Sequence, residues 1–160
     1  MSTTRQHEIE WPLALRRYLG VSLGAHLVWE AVQLPLYTLW TTGTRGQQMF
    51  AVVHCTAGDV MIAALTLLVA LALFARTEWP SAGLMWVYAA SLAFGLGYTI
   101  FSEWLNTSVR ESWAYSDLMP VLPVFGTGLS PLLQWVVVPT LALWIAIGRA
   151  PWVDQRVNEQ

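Results

Sequence analysis

The chain contains no lysine and a single cysteine, and charged residues make up only 11% of its 160 residues. Soluble domains usually carry charge on roughly a quarter of their residues, so the composition excludes an ordinary soluble domain. Cys55 has no second cysteine to pair with, which excludes a disulfide-stabilised scaffold. The eight basic residues are all arginines, and no cluster of them is long enough to hold a nucleic-acid backbone. Nucleic acid is therefore excluded as a partner.

Hydrophobic residues make up 56% of the chain, and its mean hydropathy is +0.49. A helix that crosses a bilayer needs about 20 mostly apolar residues. Four segments meet this length, at residues 18–40, 48–74, 81–105 and 129–147, and a loop at 106–128 joins the last two. The sequence therefore predicts an all-α, multi-pass membrane protein, a four-helix bundle with one domain over residues 1–160. Ten tryptophans agree with this, because indole rings favour membrane interfaces.

The arginines are divided unequally between the two ends of the predicted bundle. The end with both termini holds Arg5, Arg16, Arg17, Arg76, Arg149 and Arg156. The other end holds only Arg45 and Arg110. The positive-inside rule then predicts cytoplasmic termini and an outer loop at 106–128. No cleavable signal-peptide pattern precedes the first segment, so we expect that segment to direct its own insertion, most simply into a bacterial inner membrane.

Ionisable side chains occur inside the predicted spans, where a charged group costs at least ~2.5–3.5 kcal/mol. Most of them fall in the half of the membrane nearer the outer side, at a rise of about 1.5 Å per residue. Together with two amides, the set is His26, Glu30, Gln33, His54, Asp59, Glu103 and Gln134. We predict one polar cavity between the helices that opens to the outer side, with Glu30 and Asp59 facing each other.

Helical spacing relates these residues to each other. His26 and Glu30 are four residues apart and share one face of the first helix, and Gln33 continues that face. His54 and Asp59 are five residues apart, or roughly 140° around a helix. These two side chains can point at one atom only if Gly58 distorts the second helix.

Carboxyl and imidazole groups in such a cavity admit acid–base catalysis on a lipophilic substrate, and a binding protein for a membrane lipid or another lipophilic small molecule is an equally open interpretation. The catalytic candidates are Glu30, His54, Asp59 and Glu103. The residues expected to contact the substrate are His26, Gln33, Tyr98, Trp113, Gln134 and Trp135. The same groups also suit a zinc, iron or manganese ion, although no HExxH or CxxC spacing is present. A third interpretation is a purely structural network that holds the helices together. The sequence leaves the cofactor open.

Two further questions stay open at this stage. The loop at 106–128 is rich in aromatic and apolar residues, which is typical both of a lid over the bundle and of an anchor at the membrane interface. Helix surfaces that are rich in small residues and in tryptophan also suit contacts with other chains. These surfaces therefore suit a homo-oligomer or a larger membrane complex, and a non-enzymatic subunit of such a complex is the alternative to an enzyme.

The segment His26-Leu27-Val28-Trp29-Glu30 resembles the HLxxE element in the first helix of the EXPERA superfamily, which includes sterol Δ8–Δ7 isomerase. Similar features follow in the same order: Gly58-Asp59, Tyr98 with Glu103, and Trp135. The resemblance implies a membrane-embedded helical bundle with a lipophilic cavity. It also implies that Glu30 and Glu103 act in acid–base chemistry and that Trp135 stabilises a cation. The chain departs from the isomerases in its second helix, where His54 and Asp59 stand in place of a glutamate.

Overall fold

The computed structural model of the chain describes residues 11–76, 79–80, 82–123 and 125–148, which are mostly helical. Within these residues, three helices are long and apolar enough to cross a membrane: Arg45–Phe74, Leu84–Val109 and Leu129–Ile147. The first long helix, Trp11–Gln33, is not among these three, and it carries the charged residues Arg16, Arg17 and Glu30. Arg5, Arg149 and Arg156, which entered the predicted orientation, lie outside the described residues.

The first predicted segment, 18–40, is not one helix. Helix α1 spans Trp11–Gln33 and is followed by a 3-10 turn at Leu34–Leu36 and the short helix α2 at Leu39–Thr42. Pro35 accounts for the break, because it lacks an N–H group and restricts the backbone of the residue before it. The chain then leaves the helical conformation at Tyr37, whose φ is −115° and ψ is 148°.

The other three long helices lie close to the predicted segments: α3 at Arg45–Phe74, α4 at Leu84–Trp104 and α5 at Leu129–Ile147. Helix α3 begins with a capping box, in which the Thr44 hydroxyl accepts from the Gln47 amide and the Gln47 side chain accepts from the Thr44 amide. It runs past Gly58 without interruption. Helix α4 continues into a π-helical turn at Leu105–Val109.

The four long helices pack in a closed ring. Helix α1 contacts α3 and α5, and α4 contacts the same two helices. An apolar core fills the end of the ring that holds the start of α1 and the end of α5. Its buried residues are Tyr18, Ala63, Leu67, Ala70, Trp79, Leu84, Val87, Trp135, Ala142, Leu143 and Ala146.

The loop predicted at 106–128 begins four residues later than predicted, after the π-helical turn, and its described residues, 110–123 and 125–128, lie against the opposite end of the ring. Its backbone pairs with the chain after α1, since the Thr38 amide donates to Ala114 and the Ser116 amide donates to Leu36, both at 2.9 Å. Farther along, β1 (Val121–Leu122) pairs antiparallel with β2 (Thr127–Gly128). The loop is therefore held against the end of α1 and the start of α5.

Candidate functional site

A cavity of about 970 Å³ lies between the long helices and the loop, at the end opposite the apolar core. Four acidic residues line it: Glu30 from α1, Asp59 from α3, Glu103 from α4 and the exposed Glu111, which follows the π-helical turn. Trp135 of α5 lines it as well and is 2% exposed. Trp135 also belongs to the apolar core, so its indole lies between the cavity and that core.

Gln134 lies at the centre of the polar cluster. Its Nε2 is 2.8 Å from Nδ1 of His26, 3.0 Å from Oε1 of Glu30 and 2.9 Å from Oδ2 of Asp59. An amide nitrogen carries two hydrogens, so it cannot donate to three acceptors at once. At least one of the three neighbouring groups must therefore supply a proton of its own or share one with another. Glu30 and Asp59 thus face each other across one amide, as the sequence predicts.

A second set of hydrogen bonds ties the end of α1 to the start of α5. Gln33 donates from Nε2 to Oε1 of Glu30 (2.7 Å) and accepts at Oε1 from the Ser130 hydroxyl (2.8 Å). The Trp29 indole N–H donates to the same serine (3.2 Å). The sequence analysis missed Ser130, although it lies four residues before Gln134 and so on the same face of α5.

His26 is fully buried and connects three helices. Its Nδ1 contacts Gln134 of α5 and lies 3.4 Å from Oδ2 of Asp59 in α3. Its ring packs at 5.7 Å from the Trp135 ring, with a tilt of 51°. In the described part of the chain, this contact between His26 and Asp59 is the only pair of potentially opposite charges within 4.0 Å.

Glu103 forms a separate contact with the loop. The Tyr115 hydroxyl donates to Oε2 of Glu103 and accepts from the backbone amide of Gly128 at 2.9 Å. Burial raises the pKa of Tyr115, and its hydrogen bond to Glu103 raises that pKa further, so the hydroxyl remains a donor at neutral pH. Trp113 lines the cavity beside this pair. Nothing in the spacing of the loop sequence singles out Tyr115.

Two predicted site residues lie at the edge of the cavity. His54 is exposed, and its ring stacks on Phe50 at 5.3 Å with an interplanar angle of 12°. Tyr98 is 46% exposed and meets Phe101 edge-on. The structure brings neither side chain into the cluster around Gln134. For His54 the reason is the regular helix at Gly58, which keeps His54 and Asp59 on different faces of α3.

The cavity has other lining residues that the sequence analysis did not select. Cys55 lies one turn before Asp59 on α3, and the exposed Arg110 follows the π-helical turn. Within the described residues, no three histidine, cysteine, aspartate or glutamate side chains are grouped so that they could hold a metal ion.

Comparisons of the chain with protein families, with curated proteins and with solved structures find no match.

Proposed function

We propose that the chain is a four-span membrane protein that binds a lipophilic small molecule in this cavity and exchanges protons with it. The observation that carries the proposal is the contact of Glu30 and Asp59 with one amide nitrogen of Gln134, at 3.0 and 2.9 Å. Two carboxyl groups that share a donor in a largely buried site are suited to hold a proton between them and to transfer it. In the proposal, both termini lie in the cytoplasm of a bacterial cell and the cavity opens to the outer side.

The surface of α1 supports its assignment as the fourth span. Its buried side carries polar groups, among them Ser22, His26 and Glu30. Its outward side is apolar, with Val28 63% exposed and Val32 74% exposed. Outward apolar side chains are expected where a helix contacts lipid tails, and buried polar ones where it faces other helices. This division also explains why α1 as a whole is less apolar than the other three long helices.

The size and walls of the cavity support a small lipophilic ligand. Its volume of about 970 Å³ is at the upper end of the range of small-molecule sites. Apolar walls come from Phe50, Val52 and Ile62, and the carboxyl groups of Glu30 and Asp59 line the cavity together with Trp135. In the proposal, the apolar body of the ligand contacts the apolar walls, and its polar group reaches the carboxyl groups.

The proposed proton exchange assigns roles to three of the acidic residues. Glu30 and Asp59 hold and transfer the proton, and Glu103, fixed by Tyr115, serves as a second acid at the other wall. The Trp135 ring face would stabilise a developing positive charge on the ligand. These assignments agree with what the resemblance to the EXPERA superfamily implies for Glu30, Glu103 and Trp135.

A cavity-filling substitution tests the binding proposal. Ala51 and Ala57 are both in α3; Ala51 lines the cavity, whereas Ala57 is exposed and does not. We expect Ala51→Phe to displace the ligand and Ala57→Phe to leave it bound. The measurement is mass spectrometry of organic extracts from protein purified out of native membranes. It should show one lipophilic species with the unmodified chain and with Ala57→Phe. The amount of that species should be at least tenfold lower with Ala51→Phe.

Equal amounts of that species in all three samples would contradict binding in the cavity. No species in any sample, together with a protein that co-purifies at constant stoichiometry, would instead favour a subunit of a larger membrane complex. Intact folding of both variants is checked by circular dichroism, because the added ring must not disrupt the helices.

A further inference from the structure

The hydroxyl of Tyr37 is a hydrogen-bonding group that takes no part in the polar cluster around Gln134. Tyr37 lines the cavity, and its hydroxyl has no hydrogen-bond partner among the residues that the structure describes. The hydroxyl is also not among the unpartnered polar atoms that lie fully buried. It therefore faces open space and has its hydrogen available to a ligand.

The open space beside this hydroxyl is the interior of the cavity. Glu30 of α1, Cys55 of α3 and Glu103 of α4 are all near enough to influence the hydroxyl electrostatically. These three groups line the cavity from three different helices, so a hydroxyl that is near all of them lies between the helices. Tyr37 thus extends into the space that separates Glu30 from Glu103.

The backbone and a neighbouring ring fix the Tyr37 side chain. Tyr37 has an extended backbone and forms an isolated antiparallel bridge with Tyr115 of the loop. The two rings pack with centroids 5.6 Å apart and a tilt of 52°. Tyr115 is itself bonded to Glu103 and Gly128, so the ring that supports Tyr37 is held in place. A donor that is already positioned loses little conformational entropy when a ligand binds.

We propose that Tyr37 donates a hydrogen bond to a carbonyl oxygen of the ligand, which makes the ligand a lipophilic ketone. The ketone assignment rests on the proposed function, because it concerns the ligand of the same cavity. Nε2 of Gln134 is surrounded by three groups and has no hydrogen left for a ligand, whereas Tyr37 has one. A ligand without an acceptor would leave that hydrogen unpaired in a largely enclosed site, which lowers the affinity.

A carbonyl group, unlike a hydroxyl or ether oxygen, also makes the neighbouring C–H bonds exchangeable. When an ionised carboxylate of the Glu30 and Asp59 pair removes a proton from the carbon next to the carbonyl, the C–H electron pair forms a C=C bond. The π electrons of the carbonyl group move to its oxygen, where the Tyr37 O–H group stabilises the developing negative charge. Return of the proton restores the ketone, so the exchange needs no oxidant or reductant.

Three probes with one carbon skeleton test the assignment on the full chain in lipid nanodiscs. They are β-tetralone, the hydrocarbon tetralin and the amine β-aminotetralin. The ketone carries ¹³C at its carbonyl group, so that difference spectra against the unlabelled ketone separate its C=O stretch from the bands of the protein. We expect this stretch at lower wavenumber with the unmodified chain than in nanodiscs without protein, because a hydrogen bond weakens the C=O bond.

Two tyrosine variants make the test specific. Tyr37→Phe removes only the hydroxyl, so we expect the C=O band to return to its position in protein-free nanodiscs and the ketone to bind about fivefold more weakly. The affinity for tetralin should not change. Tyr88→Phe is the control, because the Tyr88 hydroxyl contacts Thr140 and Tyr88 does not line the cavity. A shifted band that survives Tyr37→Phe, equal affinity for the ketone and tetralin, or tighter binding of the amine would overturn the assignment.

Failure of the proposed function gives a different result. If Ala51→Phe leaves the affinity for all three probes unchanged, the probes do not bind in the cavity and the proposed function is wrong. Deuterium uptake at the benzylic carbon next to the carbonyl reports the proton exchange, and we expect Asp59→Asn to slow it at least tenfold. Uptake no faster than in protein-free nanodiscs, with the band shift intact, would contradict the proton exchange and leave the contact of Tyr37 with the carbonyl in place.

Discussion

Gln134 determines how protons are shared in the cluster. Three groups surround its two N–H hydrogens, and the described part of the chain offers no arginine within 4.0 Å of Glu30 or Asp59 to neutralise a second negative charge. Two carboxylates that face each other in a poorly solvated site repel strongly unless one is protonated. The cluster is therefore expected to contain a protonated carboxyl group at neutral pH.

Infrared spectroscopy tests that expectation. A protonated carboxyl group gives a C=O stretch that an ionised one lacks, and we expect this band at pH 7. It should disappear in Glu30→Gln or in Asp59→Asn. Asp117→Asn is the control, because Asp117 is exposed, does not line the cavity and should leave the band unchanged. A spectrum without the band would mean that both carboxyl groups are ionised, which fits a water-filled site better than proton exchange with a lipophilic ligand.

Gly95 allows α4 to pack closely against α5. A Cβ atom at this position would lie 2.3 Å from Cε3 of Trp135, which is buried and cannot move freely. We expect Gly95→Ala to destabilise the protein by about 1–3 kcal/mol, because overpacking outweighs the gain in helix propensity. Thermal unfolding in detergent measures this.

Gly97→Ala is the matched control for that substitution. It lies in the same helix, and a Cβ there meets nothing within 4 Å. We expect it to be neutral or stabilising by up to ~1 kcal/mol, since alanine favours helix more than glycine. A melting temperature that falls equally in both variants would show that Trp135 does not pack against Gly95 as described.

At the scale of elements, the loop at 106–128 is joined to the helices by Tyr115. Its hydroxyl donates to Glu103 and accepts from Gly128, so Tyr115→Phe removes two hydrogen bonds. Two bonds of roughly 0.7 kcal/mol each correspond to about tenfold faster amide exchange in the loop. Hydrogen–deuterium exchange over residues 112–128 checks this.

Tyr98→Phe is the control for the loop prediction. Tyr98 also lines the cavity, but it lies on α4 and is 46% exposed, so loss of its hydroxyl should not alter loop exchange. Equal exchange in Tyr115→Phe and the unmodified chain would mean that the backbone contacts of Ala114 and Ser116 hold the loop on their own.

At the scale of the whole molecule, the proposed topology predicts the side of the membrane on which each end of the helix ring lies. The ring of helices places Leu118, which is 69% exposed, and Ala75, which is also exposed, at opposite ends. In a Cys55→Ser background, we expect a membrane-impermeant maleimide to label Leu118→Cys in intact spheroplasts. Ala75→Cys should react only after lysis. The reverse pattern would place the cavity mouth in the cytoplasm and overturn the positive-inside assignment.

The helices were largely predictable because their signal is local. Residues 129–147 form α5 with the predicted bounds, and α3 begins three residues before its predicted start at a capping box. The first segment was predicted seven residues too far along the chain, at 18–40 instead of Trp11–Gln33, because the apolar composition continues past the point where Pro35 ends the helix. Composition reports which residues avoid water, whereas a helix ends where backbone hydrogen bonds can no longer form.

The site was predictable where it depends on one helix and not where it depends on several. Spacing alone placed His26, Glu30 and Gln33 on one face of α1, and the cost of burying charge predicted that Glu30 and Asp59 share a cavity. Spacing also indicated that His54 and Asp59 diverge on a regular helix. The contact between Tyr115 and Glu103, and that between Ser130 and Gln33, join residues that no local pattern relates.

The sequence by itself determined that the chain is helical and apolar, which residues turn inward on α1, and that its few buried charges need partners. These follow from helical periodicity and from the free energy of placing polar groups in an apolar medium. Only the tertiary structure decided that Nε2 of Gln134 lies within hydrogen-bond distance of three polar groups, that His54 stays at the edge, and that the loop reaches Glu103. Each of these depends on distances between elements far apart in the chain, because hydrogen bonds form only within about 3.5 Å and a sequence specifies no such distance.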